Sequence, residues 1–401
     1  LKARLIIEDF VNSKHAKICF STSTLIQGIN MPFDVVWINN FMFNGNEDQK
    51  TLNLKNLIGR AGRTTLENNH FDYGYVIIEK KNKDLFISRL NKESSLSEIS
   101  NLDIETNSHN EDFADTVDAI KNDTFNTELH LTDTQVERIT NSNIENDINF
   151  ILEHFLNKDM MPLSVKEYYI LKDSKRKRVK KAFENIYKVH LRRQELTNGE
   201  KSVLSASIPI LLWQIQGKSF AEIISLRHAF LSEKDFRRKL KRQLLKKEIS
   251  TKEYRKLLLE KKVRYSCIAS TLPDIKFKTG IPLFSRNTSI IDIDFDKVIY
   301  DTYDYIDKVL SLSIKDPVSS AFILHFQKTK DRRAMILSNY IKYGTNDETE
   351  IWMIKYGFTF DEIEELKEHI GTIDETEIKF KGSISEYIKN EDNLKLIERY
   401  L

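Results

Sequence analysis

Arg60 and Arg63 stand three residues apart in Gly59-Arg60-Ala61-Gly62-Arg63, a spacing that sets two guanidiniums on one side of a helical turn. Like charges so placed repel unless an anion lies between them, and the planar guanidinium fork suits phosphate oxygens. Gly59 and Gly62 remove side chains beside each arginine, so another backbone or a ligand can approach. The plainer alternative is a solvated basic turn whose glycines cap a helix. A second set of small polar groups lies upstream: Thr22, Ser23, Thr24 and Asn30, around Gly28 and Pro32. They follow the apolar run Ile18–Ser21, and so fall at the carboxyl end of an expected strand, where open α/β sheets take their ligands. Here the alternative is that hydroxyls and an amide cap turns.

The elements that must position these groups are short. Residues 2–12 carry a helical apolar face at Leu5, Ile6, Ile7, Phe10 and Val11. Ile18–Ser21 and Val35–Ile38 read as buried strands. Phe41–Leu52 reads as a polar loop, and a helix opens at Leu54 with Leu57 and Ile58 on its apolar side. Gly74–Ile78 reads as a further strand and Lys83–Leu90 as a closing helix.

Taken together, the two polar sets are more specific than either alone. Thr22-Ser23-Thr24-Leu25-Ile26-Gln27-Gly28-Ile29-Asn30-Met31-Pro32 resembles motif V of the superfamily 2 helicases of the DEAD/DEAH-box group, T-x-T-L-A-x-G-[VI]-N-[LM]-P in the Ski-like branch. Asn56-Leu57-Ile58-Gly59-Arg60-Ala61-Gly62-Arg63 resembles motif VI, Q-M-x-G-R-A-G-R. That branch includes exosome RNA helicases, archaeal repair helicases and bacterial phage-defence helicases. The resemblance covers residues 1–95.

It implies an α/β domain, the C-terminal part of a second RecA-like helicase domain, in residues 1–93. In such enzymes ATP and Mg2+ lie between two RecA-like domains. By resemblance, Arg63 is the arginine finger on the γ-phosphate and Arg60 its neighbour on the same phosphates. The chemical need is plain, because phosphoryl transfer spreads negative charge that a cation supplied in trans stabilises. Gly28 and Asn30 would approach the ribose and metal region, and Gly59 would leave room beside the nucleotide. Thr22 and Thr24 would couple the nucleotide to the nucleic-acid backbone. Asn56 departs from the usual Gln; it keeps the amide but is one methylene shorter, which puts sensing of the γ-phosphate at this position in question. No phosphate loop of the form G-x-x-x-x-G-K-[ST] and no DExD/H box is present, and the chain begins without Met. The implied partner is therefore an N-terminal RecA-like domain of the same, longer chain, without which these residues should not hydrolyse ATP.

The chain has 401 residues, a net charge of +2, few glycines (12) and fewer prolines (6), which favours a largely helical protein of several domains. With so little net charge, any nucleic-acid surface must be a local patch. Cys19 and Cys267 are the two cysteines, far apart and in apolar surroundings. They read as buried thiols in a reducing cytoplasm. No cluster has metal-ligand spacing, and no apolar run is long enough to span a membrane.

Residues 94–147, rich in Ser, Asn, Asp and Glu, read as a linker with short helices or the start of a winged helix. Residues 148–401 read as a mostly helical accessory region, by resemblance a winged helix and helix bundle. Ser164 and Glu167 have the spacing of a capping box. Residues 172–193 hold ten Lys or Arg against two acids, and 234–264 are again basic, with Arg237, Arg238 and Lys241 in sequence. Each is either a strip touching the phosphates of single-stranded RNA or DNA or a solvated helix face. The resemblance makes the second a candidate strand-guiding helix. Tyr254 and Tyr265 could stack on bases, but packing within the protein is the preferred reading. Ser289–Phe295 alternates and reads as a half-exposed strand; its Asp292 and Asp294 lack a third ligand for a metal. The acidic C-terminal segment, whose Tyr356-Gly357-Phe358-Thr359-Phe360 resembles the end of bacterial Ski-like helicases, is expected to contact protein. The function expected from all this is the C-terminal portion of an ATP-dependent helicase; the alternative is a non-catalytic nucleic-acid or protein-binding module derived from one.

Overall fold

The computed structural model describes residues 10, 15–20, 33–41, 43, 45–61, 73–92, 111–193, 195–274 and 276–389. The chain divides into two units, Leu1–Ile104 and Glu105–Leu401. It is mostly helical, with three small two-stranded sheets among the described residues.

In the first unit, β1 (Val35–Ile38) pairs in parallel with β2 (Tyr75–Ile78), Val35 opposite Tyr75 and Ile38 opposite Ile78. Both strands are β-branched and aromatic, residues that suit a pleated surface. Between them lies α1 (Glu47–Ile58), and after β2 comes α2 (Lys83–Asn91). The α1 helix starts well before Leu54, inside the expected loop. The reason is a capping box: the Asn46 side chain accepts from the Gln49 N–H at 2.9 Å, and the Gln49 side chain accepts from the Asn46 N–H at 3.0 Å. Glu47 and Asp48 then favour the positive helix end. One sheet face, Val36, Ile38, Val76 and Ile78, packs with Phe41, Phe43, Leu54 and Phe86. The other, Val35, Trp37, Tyr75 and Ile77, is exposed.

Two expectations for this unit change. Ile18–Phe20 is not a strand; Ile18 and Phe20 are 74% and 93% exposed, and Cys19 is half-buried rather than enclosed. No described strand lies beside this run to take up its backbone hydrogen bonds, and an unpaired apolar run has no reason to stay extended and buried. The sheet among the described residues has two strands, short of a full RecA-like sheet. The helix expected over residues 2–12 lies outside the described residues, apart from Phe10.

The second unit begins with α3 (Glu111–Asn122), a small antiparallel pair β3 (Phe125–Asn126) and β4 (Leu131–Thr132), and α4 (Asp133–Thr140). The stretch expected as a linker is thus folded from residue 111 onward, and Leu131, Ile139 and Ile144 join the main core. Too few apolar residues marked it in sequence, but Ala114, Ala119, Leu129, Leu131, Ile139 and Ile144 are buried. Then come α5 (Glu145–Phe155), α6 (Val165–Ile170), α7 (Asp173–Val189), α8 (Asn198–Ile215), α9 (Phe220–Leu231), α10 (Lys234–Leu245) and α11 (Thr251–Glu260). After a long irregular segment, α12 (Phe295–Asp304) runs into a π-helical segment, Tyr305–Ile314, and on into α13 (Lys315–Thr329); α14 (Arg332–Tyr343) follows. The core holds Phe155, Phe183, Tyr187, Leu204, Tyr305 and Phe322. Phe155 meets the Phe183 ring edge-on at 6.3 Å. The expected capping box opens α6, with the Ser164 N–H donating to Glu167 at 2.8 Å.

The strand expected at Ser289–Phe295 does not form. Ser289 makes one isolated bridge to Lys262, and Asp294 caps α12, accepting from the Lys297 N–H at 3.2 Å. An aspartate before a helix is worth more as a cap than as the outer face of a short strand. The described residues close with α15 (Glu348–Lys355), α16 (Phe360–Leu366), the hairpin β5 (Ile370–Ile373) and β6 (Ile378–Phe380), and α17 (Ile384–Tyr387). These share a small core of Met353, Phe358, Ile363, Leu366 and Ile370.

Candidate functional site

The arginine motif of the first unit sits where α1 ends. The Gly59 N–H returns to Lys55 O at 2.9 Å, the Arg60 N–H to Leu57 O at 3.2 Å and the Ala61 N–H to Ile58 O at 2.9 Å. The chain thus leaves the helix through a tight turn that buries Arg60, which is 7% exposed. Gly59 has φ −64°, and an added Cβ would meet only Lys55 O at 3.4 Å and Asn56 O at 3.8 Å. The fold does not itself demand glycine here; what glycine does is leave the surface beside Arg60 bare. Asn56 is exposed. Ala61 then bridges to Phe33 in parallel, while the Tyr75 N–H donates to Asp34 O at 2.9 Å. The residue directly after Pro32 therefore lies beside Gly59-Arg60-Ala61 at the amino-terminal end of β1. Thr22, Thr24, Gly28, Asn30 and Arg63 lie outside the described residues.

At the opposite end of the same two strands is an open concavity of about 650 Å³, lined by Asn39, Asn40, Lys50, Lys81 and Arg89 among others. The sequence reading missed it, although parallel strands commonly take ligands at their carboxyl ends. Its cations are already engaged. Lys50 meets Glu47 at 2.8 Å, Lys81 meets Glu79 at 2.5 Å, and Arg89 donates to Phe41 O at 3.1 Å and lies 3.4 Å from Glu47. The neighbouring cations hold the Glu47 carboxyl below the ordinary carboxylate range, first through the Lys50 hydrogen bond. The concavity thus carries little uncompensated charge.

In the second unit the two basic stretches part company. On α7, Lys177 pairs with Asp173 at 2.8 Å, Arg178 with Asp147 at 2.7 Å and Lys181 with Glu184 at 2.6 Å. Just beyond the helix, Arg193 meets the buried Glu200 at 2.5 Å. Val179, Ala182, Phe183, Ile186 and Tyr187 form its buried side. This helix is a bundle member, and five of the ten cations of the stretch, Arg176 among them, have carboxylate partners among the described residues. On α10, Arg237 turns inward and donates to Ser232 at 2.8 Å, whereas Arg238 and Lys241 are exposed. Neither has a carboxylate partner among the described residues. Of the sequence-expected nucleic-acid residues, Arg238 and Lys241 are brought to one surface, and Arg237 serves the base of the helix instead. Tyr254 is half-buried, and Tyr265 is 52% exposed.

Among the described residues no three His, Cys, Asp or Glu gather as metal ligands, and no helix is long and apolar enough to cross a membrane. Comparison of the chain with protein-family profiles, curated proteins and solved structures gave no significant match.

Proposed function

We propose that this chain is the C-terminal portion of an ATP-dependent superfamily 2 nucleic-acid helicase, a Ski-like motor in which Arg63 acts as arginine finger and Arg60 steadies the same phosphates. The observation that carries the reading is the parallel bridge between Phe33 and Ala61. It sets Phe33, the residue that follows the motif V resemblance, beside Ala61 in the core of the motif VI resemblance, which supports the reading of one shared nucleotide site. The exposed Val35, Trp37, Tyr75 and Ile77 add support, because parallel sheets are normally covered on both faces. In this reading ATP and Mg2+ are held mainly by an N-terminal RecA-like domain of the same polypeptide. That domain carries the phosphate loop and acidic box, and Gly28, Asn30, Asn56 and Gly59 approach the nucleotide from this side. Thr22 and Thr24 contact the backbone of a single strand of RNA or DNA.

The chemistry asked of this half is electrostatic. A guanidinium delivered to the γ-phosphate stabilises charge that appears only in the transition state. The reading is tested by nucleic-acid-stimulated ATP hydrolysis of the full-length gene product, wild type beside Arg63→Ala.

A second reading, a binding module that performs no catalysis, is favoured by the exposed and unpaired cations of α10, which need no nucleotide to attract a polyanion. Nucleic-acid binding without any stimulated hydrolysis in the full-length product would select it.

A further inference from the structure

Positive charge in this chain gathers in two stretches, residues 172–193 and the helical hairpin of α10 and α11, and in the hairpin most of it has no carboxylate partner among the described residues. From Lys234 to Arg264, fourteen Lys or Arg stand against four Asp or Glu, a local excess of ten in a chain whose net charge is +2. The remainder of the chain is therefore net acidic. Helical spacing sorts these charges. Lys234, Arg238, Lys241 and Arg242 lie on one exposed side of α10, with Leu240 buried and Phe236 and Leu244 half-buried on the other. On α11, Lys252, Arg255 and Lys256 share an exposed side while Leu257 and Leu258 turn inward.

The base of the hairpin is pinned. Glu233 takes Arg264 at 2.8 Å and Lys261 at 3.5 Å, and Ser289 donates to Leu258 O at 3.1 Å. Farther out, Arg238, Lys239, Lys241, Arg242, Lys252 and Arg255 have no carboxylate within ion-pair distance among the described residues. Like charges three and four apart on a helix repel. Holding them unpaired on one surface makes sense for a polyanion.

The chemistry of the surface narrows the polyanion. Protein interfaces bury aromatic anchors and deplete charge at their centre; this face has the reverse composition, which suits a phosphate backbone. Single-strand platforms offer exposed aromatics for base stacking. Here Phe236 lies under Lys261, whose Nζ is 5.2 Å from the ring centre, Tyr254 is half-buried, and the exposed aromatics, Phe230 and Tyr265, stand outside the two helices beside Arg264. The major groove of B-form DNA, about 12 Å wide, admits a helix about 10–12 Å across, whereas the deep, narrow groove of A-form RNA does not. We infer that the α10–α11 hairpin is an arm for double-stranded DNA, with one helix in the major groove and the cations on the flanking phosphates, and with no reading of bases. The inference rests on the proposed function for the arm's place in a motor, where it holds duplex rather than the translocated strand.

The test is equilibrium binding of the 401-residue chain, without nucleotide, to two unrelated DNA duplexes of about 25 base pairs, to the single strands and to duplex RNA. Duplex DNA should bind tightest and the two sequences equally. Affinity should fall about 100-fold from about 50 to about 200 mM salt, as neutralising roughly four phosphates requires. The variant Arg238→Glu/Lys241→Glu/Arg242→Glu should lose at least about tenfold in duplex affinity and about three units of salt slope. Lys175→Glu/Lys177→Glu/Lys181→Glu on α7, with the same change in charge, should lose less than about threefold. Tighter binding to single strands or duplex RNA, equal losses in the two variants, or binding only to acidic proteins overturns the inference. Because the assay contains no nucleotide, its failure strikes the arm alone, and failure of ATP hydrolysis strikes the motor alone.

Discussion

Phe33 and Ala61 pair in parallel at the amino-terminal end of β1, so the chain just after Pro32 runs beside the Gly-Arg-Ala turn that buries Arg60. The pairing depends on α1 ending where it does. If the turn at Gly59 moved by one residue, Ala61 would leave its place beside Phe33.

Arg89 should be the keystone of the first unit. It is 7% exposed and donates to Phe41 O at 3.1 Å, a carbonyl at the start of the connection between β1 and α1. Replacing it with Met removes the charged donor and leaves that carbonyl without it, a loss of about 2 kcal/mol. Urea unfolding followed by Trp37 fluorescence measures it; an unchanged midpoint would show that the bond contributes nothing.

Arg227 and Asp301 form a buried ion pair in the second unit. Asp301 also accepts from the Ala269 N–H at 2.8 Å, and Arg227 donates to Thr302 at 3.0 Å. The Arg227 guanidinium lies 4.7 Å from the centre of the Tyr305 ring, whose hydroxyl donates to Cys267 O at 2.8 Å. The network ties the irregular segment before α12 to that helix. Arg227→Met strands a buried carboxylate and should cost about 3–5 kcal/mol. Arg227→Met with Asp301→Leu should cost less than the sum of the single changes. Additive losses in denaturant unfolding would contradict coupling.

Burial between α4 and α7 pushes the His190 imidazole down to about 4, with the nearby Arg138 adding to the effect and the Tyr187 carbonyl opposing it. The folded state therefore keeps His190 neutral while the unfolded chain takes up a proton near pH 6.5. Stability from this group is fully present above pH 6.5, falls as pH drops towards 4, and loses nothing further below that. The whole effect is about 3 kcal/mol. In His190→Asn the decline between pH 6.5 and 4 should flatten; a pH profile identical to wild type would show that His190 is not its source.

Gly199 opens α8 against the backbone of Phe277, and a Cβ there would sit 2.1 Å from Phe277 O. Thr197 donates to that same carbonyl at 2.6 Å, so the backbone is held from both sides. Gly199→Ala should destabilise by about 1–3 kcal/mol. A thermal midpoint equal to wild type would mean that the loop at Phe277 yields freely.

Local chemistry was legible in the sequence wherever one element carried its own signal. Ser164 and Glu167 announced their helix, and Val35–Ile38 and Lys83 onward lie where periodicity puts them. Asn46 and Gln49 carry the same capping signal, but within a stretch whose Asn, Gly and Asp also read as turn formers. Ser289–Phe295 alternates like a strand, yet among the described residues its pairing stops at the Ser289–Lys262 bridge, and partners are not visible in a local window. The two basic stretches look alike in sequence. What separates them is Asp147 reaching α7 from α5, a contact between distant positions. Arg60 was legible as chemistry, but its burial comes with a tight turn after α1 that the motif does not spell out.

The most direct test of the central claim is ATP hydrolysis by the full-length gene product, with and without single-stranded RNA or DNA, for wild type and Arg63→Ala. The account predicts nucleic-acid-stimulated turnover in the wild type. In the variant kcat should fall by about a thousandfold or more while nucleotide affinity changes by less than about tenfold. Wild-type turnover in Arg63→Ala, or no stimulated turnover in the wild type, would contradict it.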